Sequence, residues 1–539
     1  MLPTSAQVAS TTQGRRASRP FSRFDRADAV AHAEASTTSG ASRLRGLPRR
    51  TLRTWRARRL RDPDRPALST FLASPEGVRA LHRIVVAALF VFGVMGGAGA
   101  ATLRTFFVLA GLAPWIACSE STLRRASTTM IDAIGTWGDA TGEQMGNAVR
   151  GGPERLISIA LDETWKRSMI LVAMDTASGF VLAEVHAAAR DAATWTATMT
   201  KAVGALPVKV VQAVADEAKG IAACVAGMLG VHRGSDLFHG LHELGPVLGA
   251  LHSKLAEAEA AAEATREAQR AARGTPQASA ARATHAEHRH AVRRLRHRID
   301  TAVECLRGLS AVFHPVDLAT GERVAAPAVR RHLEQFLARL LYAAEESGVR
   351  PSVLERIAKV LRLVPTWTAS LAWWEQFEAA QREALGLPAA LAAVVRDVVI
   401  PWAYLTHRRR VASHAGERAA LDVVLTRVSA KLDASTAWSS LSAPGREALE
   451  RWAVATVAHF VRTSSCVEGR NGFLSLRYHH RRALPPALLK ALTVIHNYVL
   501  RRDDGTTAAE RLFGIPHADL FEHLLQVIPP LPLPRKRTG

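Results

Sequence analysis

Between Leu156 and Phe238 the spacing of apolar residues changes from that of helices to that of strands, and whatever this chain builds must be arranged around that stretch. Ile157, Ile159 and Leu161 alternate with smaller or polar residues and run into Asp162, the two-residue period of a strand. Met169 to Met174 and Phe180 to Val185 are two further apolar runs. The turn-rich segment Asp175 to Gly179 separates them, so three strands in an antiparallel meander are expected. A helix from about Asp191 to Val203 should follow, then a β-branched strand from Val208 to Val214 leading to Asp216. A helix through Leu229, which Asp216 can cap, and a last short strand near Ser235 to Phe238 complete the pattern.

Three short acidic motifs stand out: Leu-Asp-Glu-Thr at Leu161 to Thr164, Ala-Asp-Glu-Ala-Lys-Gly at Ala215 to Gly220, and Ser-Ser-Cys-Val-Glu-Gly-Arg-Asn-Gly at Ser464 to Gly472. They offer Asp162, Asp216 and Glu468, a carboxylate trio of the kind that holds two Mg²⁺ or Mn²⁺ ions for phosphoryl transfer on nucleic acid. Glu163 stands beside the first as a supporting carboxylate. Asn471 offers a hydrogen bond, and Arg470, Arg477 and Lys219 offer phosphate contacts. Glu-Gly-Arg-Asn-Gly is equally the chemistry of a surface turn. His239, in Asp-Leu-Phe-His, would either orient a scissile phosphate or be a buried structural histidine.

Charge agrees with an anionic partner. The 539 residues carry 70 Lys and Arg against 48 Asp and Glu, a formal charge of +22, and a chain this long suggests several domains. Arg forks match phosphate geometry, so nucleic acid is the leading partner and an anionic membrane surface the second. The competing explanation is a GC-rich genome, whose codons favour Ala and Arg. Four cysteines without any Cys-x-x-Cys pairing indicate neither a disulfide framework nor a zinc site.

Residues 1–65 read as a disordered basic arm, with Trp55 among the arginines of Arg49 to Arg65 as either a phosphate-contacting segment or a solvated linker. Ile84 to Leu103 is uncharged and long enough to cross a bilayer, but Gly96, Gly97 and Gly99 interrupt it. Two packed core helices explain it equally well. Within a helical region 66–150, Ser119 should cap a helix beginning at Glu120. Leu123, Met130 and Ile131 would face inward and Arg124 and Arg125 elsewhere, as in a helix-turn-helix reader of DNA or an ordinary helical hairpin.

The element order read for 151–244 is that of the ribonuclease-H-like fold, in which the first and fourth strands lie side by side and would make Asp162 and Asp216 neighbours. The chain resembles, moreover, a bacterial family of transposase-like proteins with a split DDE catalytic core. The resemblance runs from about Asp64 to Pro534, through Leu-His-Arg-Ile-Val-Val at Leu81, the three acidic motifs, Asp-Leu-Phe-His at Asp236 and Phe-His-Pro-Val-Asp-Leu at Phe313. It continues with Leu-Thr-Val-Ile-His-Asn-Tyr at Leu492 and Asp-Gly-Thr-Thr-Ala-Ala-Glu-Arg-Leu-Phe-Gly at Asp504. It implies Mg²⁺-dependent cut-and-join chemistry on DNA by a bacterial, nucleoid-associated homo-oligomer. A catalytically dead DNA-binding descendant and a membrane-attached basic protein are the other classes to separate.

The interval from Asp216 to Glu468 is far longer than such a core needs, so 245–460 is expected to be a helical insertion, broken near Pro351, Pro365, Leu387, His414 and Ser442. Leu248, Leu251, Leu255, Ala258, Ala262 and Thr265 recur at steps of three and four, as do Val292, Leu295, Ile299, Ala302, Leu306 and Leu309. They predict an antiparallel coiled-coil hairpin over 246–311, with His285, His288, His290 and His297 on a solvated basic face. Trp367, Trp373, Trp374, Trp402 and Trp438 belong mostly to the core. Residues 461–525 would close the ribonuclease-H-like core, and 526–539 form a basic tail. The expected fold class is therefore α+β, mostly helical, with a mixed five-stranded sheet.

Overall fold

The computed structural model describes residues 23–57, 66–481 and 483–534. Most of them are helical, and one mixed five-stranded sheet is present, as expected. The chain divides into two compact units, Met1–Gly142 with Ala487–Val499 and Pro516–Gly539, and Glu143–Pro486 with Leu500–Ile515.

The first unit is helical. Residues 23–57, expected to be disordered, instead form helices Arg23–Ala35, Thr38–Arg45 and Arg49–Ala57 around buried Ala29, Ala33, Ala41, Leu47 and Leu52. Alanines four apart make a narrow apolar stripe that a composition dominated by Arg and Ser conceals. The Thr37 hydroxyl caps the second helix by accepting from Gly40 N at 2.9 Å. Trp55 packs against this small core rather than standing free, with the Arg26 guanidinium 5.5 Å from its ring centroid. The remainder of the proposed arm, 1–22 and 58–65, and residues 535–539 of the basic tail lie outside the described residues.

Helix Pro75–Ala88 continues as a wider π-helical turn, Leu89–Met95, and stops at the glycines before helix Ala100–Leu109. The long apolar segment is thus split in two. Two helices, Pro75–Met95 and Ala389–Val411, are long and apolar enough to span a membrane by length and composition. Within their apolar windows 56% and 44% of residues are buried inside the fold.

Ser119 Oγ accepts from Thr122 N at 3.3 Å and opens helix Glu120–Val149, as predicted. Residues 110–119 connect this helix to the preceding one, with Trp115 and Ile116 buried. That is longer than the three- or four-residue turn of a helix-turn-helix, so a compact reader of that kind is not formed. Arg124 is exposed and donates to Glu120 at 2.7 Å; Arg125 is exposed. Gly138 is required by packing, because a Cβ there would lie 2.2 Å from Val494 Cγ2.

The sheet lies in the second unit. Its strands are β1 Arg155–Trp165, β2 Met169–Asp175, β3 Val181–Ala187, β4 Val208–Ala215 and β5 His232–Ser235, in the order β3-β2-β1-β4-β5. The β1–β2 and β2–β3 pairs are antiparallel, whereas β1–β4 and β4–β5 are parallel. Asp191 caps helix Ala192–Gly204 by accepting from Thr194 N at 2.8 Å. The last strand ends earlier than expected, because Asp236 accepts from Phe238 N at 2.7 Å and starts helix Leu237–Glu243.

Residues 245–312 form a helical hairpin, Gly245–Ala271 and Ala278–Val312. It is antiparallel, since Arg296 meets Glu259 at 2.7 Å and Thr265 meets His285 at 3.3 Å. Val247, Leu251, Ile299, Ala302, Cys305 and Leu309 bury its base in the core of the insertion, where Trp367, Trp374 and Trp438 are also buried. Trp373 is partly buried and stacks between His232 and Phe377, 5.3 Å from each ring. Helix Pro351–Glu383 runs through Pro365, so the break expected there does not occur.

Candidate active site

The register of the sheet creates the site. Asp162 on β1 pairs with Val172 on β2, and Val172 with Glu184 on β3. Residues directly opposite one another across antiparallel strands share a face, so Asp162 and Glu184 stand in one row. On the other side of β1 the parallel ladder aligns Leu161 with Ala215, which puts Asp216 next to Asp162, roughly 4.8 Å away across the strands. The row therefore carries three acidic side chains across four strands. Gly220, in the second motif, admits a close approach: a Cβ there would lie 2.1 Å from Arg190 O.

Helix Ser465–Arg481 supplies the third predicted carboxylate, so the Glu-Gly-Arg-Asn-Gly sequence is helical and not a surface turn. Three polar contacts fasten this helix to the sheet region. At its start, Ser464 donates to buried Asp236 Oδ2 from both its amide (3.2 Å) and its hydroxyl (2.5 Å). Further along, Arg470 makes two parallel bonds to Glu184, Nε to Oε1 at 2.7 Å and Nη2 to Oε2 at 2.6 Å. Finally, Asn471 Nδ2 donates to Asp162 Oδ2 at 2.6 Å, across 309 positions of sequence.

Asp162 is 9% exposed and its other oxygen accepts from Glu163 N at 2.8 Å. Burial pushes its carboxyl up to about 7; the Glu163 amide opposes that rise, the charges on Glu468 and Asp216 add to it, and His239 opposes it. Asp216, Glu468 and His239 thus all act electrostatically on Asp162. Asp216 Oδ1 accepts from Ala218 N at 2.9 Å. Glu468 is 38% exposed, and its Oε1 lies 3.6 Å from His239 Nε2, whose Nδ1 is 3.2 Å from Asp236 Oδ2.

Several expected roles change. Arg470, read as a phosphate contact, is 2% exposed and committed to Glu184, so it cannot reach DNA. Glu163, read as a supporting carboxylate, projects from the opposite face of β1, as neighbours along a strand do. It accepts from Trp195 Nε1 at 2.9 Å and lies 3.5 Å from Arg190. Lys219 is exposed and Arg477 half-buried, with its guanidinium 5.1 Å from the Phe473 ring. Glu184 and Asp236 were missed. A glutamate inside an apolar strand and an aspartate ahead of a helix start were the available signals.

The donor set suits a hard divalent cation: three carboxylates and, beside them, Asn471 Oδ1, buried without a hydrogen-bond partner among the described residues. Among those residues, no three His, Cys, Asp or Glu side chains stand close enough to form a ready metal cage.

Comparison with known proteins places one match on this geometry. A family described as one of unknown function, DUF6399, matches residues 395–539, a stretch that takes in Glu468, Arg470 and Asn471 but neither Asp162 nor Asp216. No curated protein matches the chain.

Proposed function

We propose that this chain is a DDE-type transposase, a polynucleotidyl transferase that cleaves and rejoins DNA strands with Mg²⁺ or Mn²⁺ held by Asp162, Asp216 and Glu468. The observation that carries this reading is the convergence of three distant acidic motifs on one end of a sheet ordered β3-β2-β1-β4-β5, the order of a ribonuclease-H-like core. A formal charge of +22 supports a DNA partner. In this reading the helical insertion separates the two parts of the core, its hairpin is an antiparallel coiled coil suited to self-association, and the protein works as a homo-oligomer on bacterial DNA in the cytoplasm.

Two bound cations would activate the attacking water or 3′-hydroxyl and stabilise the leaving oxygen. The chain's own residues do the rest. Asn471 and the Glu163 amide hold the Asp162 carboxylate in one orientation, and Asp236 orients His239 toward Glu468. With its carboxyl raised to about 7, Asp162 would give up a proton where it held a cation.

A DNA-binding descendant without catalysis is the second reading, favoured by the Glu468 carboxylate lying at His239 and not with the two aspartates. Nicking of supercoiled plasmid separates the two. The transposase reading expects nicking that requires Mg²⁺ or Mn²⁺, stops with chelator and is lost in Asp162→Asn; DNA binding with no nicking in either metal supports the inactive descendant.

A further inference from the structure

A cluster of positive charge lies at the turn between β2 and β3. Arg502 Nη1 donates to Ala177 O at 3.1 Å and Arg511 Nε to Ser178 O at 2.9 Å, so one turn fastens two guanidinium groups beside each other. Arg410, exposed at the end of helix Ile400–Val411, acts electrostatically on both. Its one hydrogen-bond contact among the described residues is His407 Nδ1, at 3.5 Å. Crowding is evident in their electrostatics: partial desolvation and then Arg410 depress Arg502, while desolvation and then Arg502 depress Arg511. Burial, followed by Arg410, Arg408 and Arg502, pushes His407 down to about 4.

The carboxylates nearby offset only part of this charge. Asp504 is 3.9 Å from Arg511, and buried Asp175 spends one oxygen on the Ser178 amide and hydroxyl. Glu417 pairs with Arg408, and Glu510 pairs with Arg501 while also acting on Arg511. Backbone carbonyls therefore hold Arg502 and Arg511 in place, with Asp504 as a counter-charge that the two share. Like charges fixed together in this way are relieved by a multivalent oxyanion, and Arg forks fit phosphate.

Position gives the cluster its meaning. Cys466, in the first turn of helix Ser465–Arg481, feels both Asp175 and Arg502, and Glu468 follows two residues later on the same turn. The turn that holds the arginines begins at Asp175, three residues along β2 from Val172, the partner of Asp162, or roughly 10 Å along the strand.

We infer that Arg410, Arg502 and Arg511 bind a phosphodiester of the DNA strand whose neighbouring segment lies at the carboxylates. The inference rests on the proposed active site for the placement of the strand, and on the arginines alone for the binding. The test is anisotropy of a labelled duplex of arbitrary sequence titrated with the full chain over a range of salt, with inorganic phosphate as a separate competitor. Arg410→Ala should weaken binding and lower the salt slope by about 1, and Arg410→Ala with Arg502→Ala by about 2. Arg410 is exposed, so its single variant tests the site even if loss of Arg502 loosens the turn. Unchanged affinity and slope in both variants overturns the inference, as does a loss confined to inorganic phosphate. Asp162→Asn, tested alongside, should lose plasmid nicking. If that variant still nicks plasmid, the active-site reading fails while the arginine site stands.

Discussion

Asp162 and Glu184 occupy the same row of the sheet, both buried and both met by the same helix, yet they are treated in opposite ways. Glu184 receives a guanidinium, with two bonds from Arg470 and almost no exposure on either side chain. Asp162 receives an uncharged amide from Asn471 and two neighbouring negative charges. Burial is common to both and so does not distinguish a structural carboxylate from a chemical one; the counter-charge does. A paired charge ties the helix to β3, whereas an unpaired one leaves Asp162 with affinity for protons and cations.

The largest effect should come from breaking the paired end. Arg470→Met removes the guanidinium that makes both bonds to the buried Glu184 carboxylate and should cost about 3–5 kcal/mol in urea unfolding, with much of it recovered by adding Glu184→Leu. If the single variant is nearly neutral, the pair is not what fastens the helix.

The unpaired end should behave in the opposite sense. Asp162 has a raised carboxyl, so its penalty is absent below about pH 4, grows as the pH rises toward 7 and is complete above it. Asp162→Asn should therefore be more stable than the parent by about 2–4 kcal/mol at pH 8 and indistinguishable from it at pH 4. A destabilised variant at pH 8 would show that Asp162 is a structural anchor like Glu184.

The smallest effect is expected on the other face of β1. Glu163→Gln keeps an acceptor for Trp195 Nε1 and should change stability by less than about 1 kcal/mol, with nicking unaffected. Loss of nicking there would mean that the site extends through the sheet.

The strands were legible in the sequence because β1 and β4 end their apolar runs at Asp162 and Asp216, and parallel pairing then fixes their adjacency. Glu468 was reached through family resemblance, since no local pattern states that Ser464 meets Asp236 from 228 positions away. Arg470 was misread for the same reason. Two glycines and an asparagine around it spell a turn, and the partner that draws it into a buried helix face lies 286 positions back. The first helices were missed because alanines supply their core, and the position of Asp236 moved the last strand boundary.

Whether Asp162, Asp216 and Glu468 form one site is tested most directly by Mn²⁺ binding to the full chain, followed by electron paramagnetic resonance without DNA. Saturable Mn²⁺ binding is predicted for the parent and for Glu163→Gln, with loss in each of Asp162→Asn, Asp216→Asn and Glu468→Gln. Undiminished Mn²⁺ binding in Glu468→Gln would contradict the account, because the helix would then bring Glu468 near the aspartates without joining them.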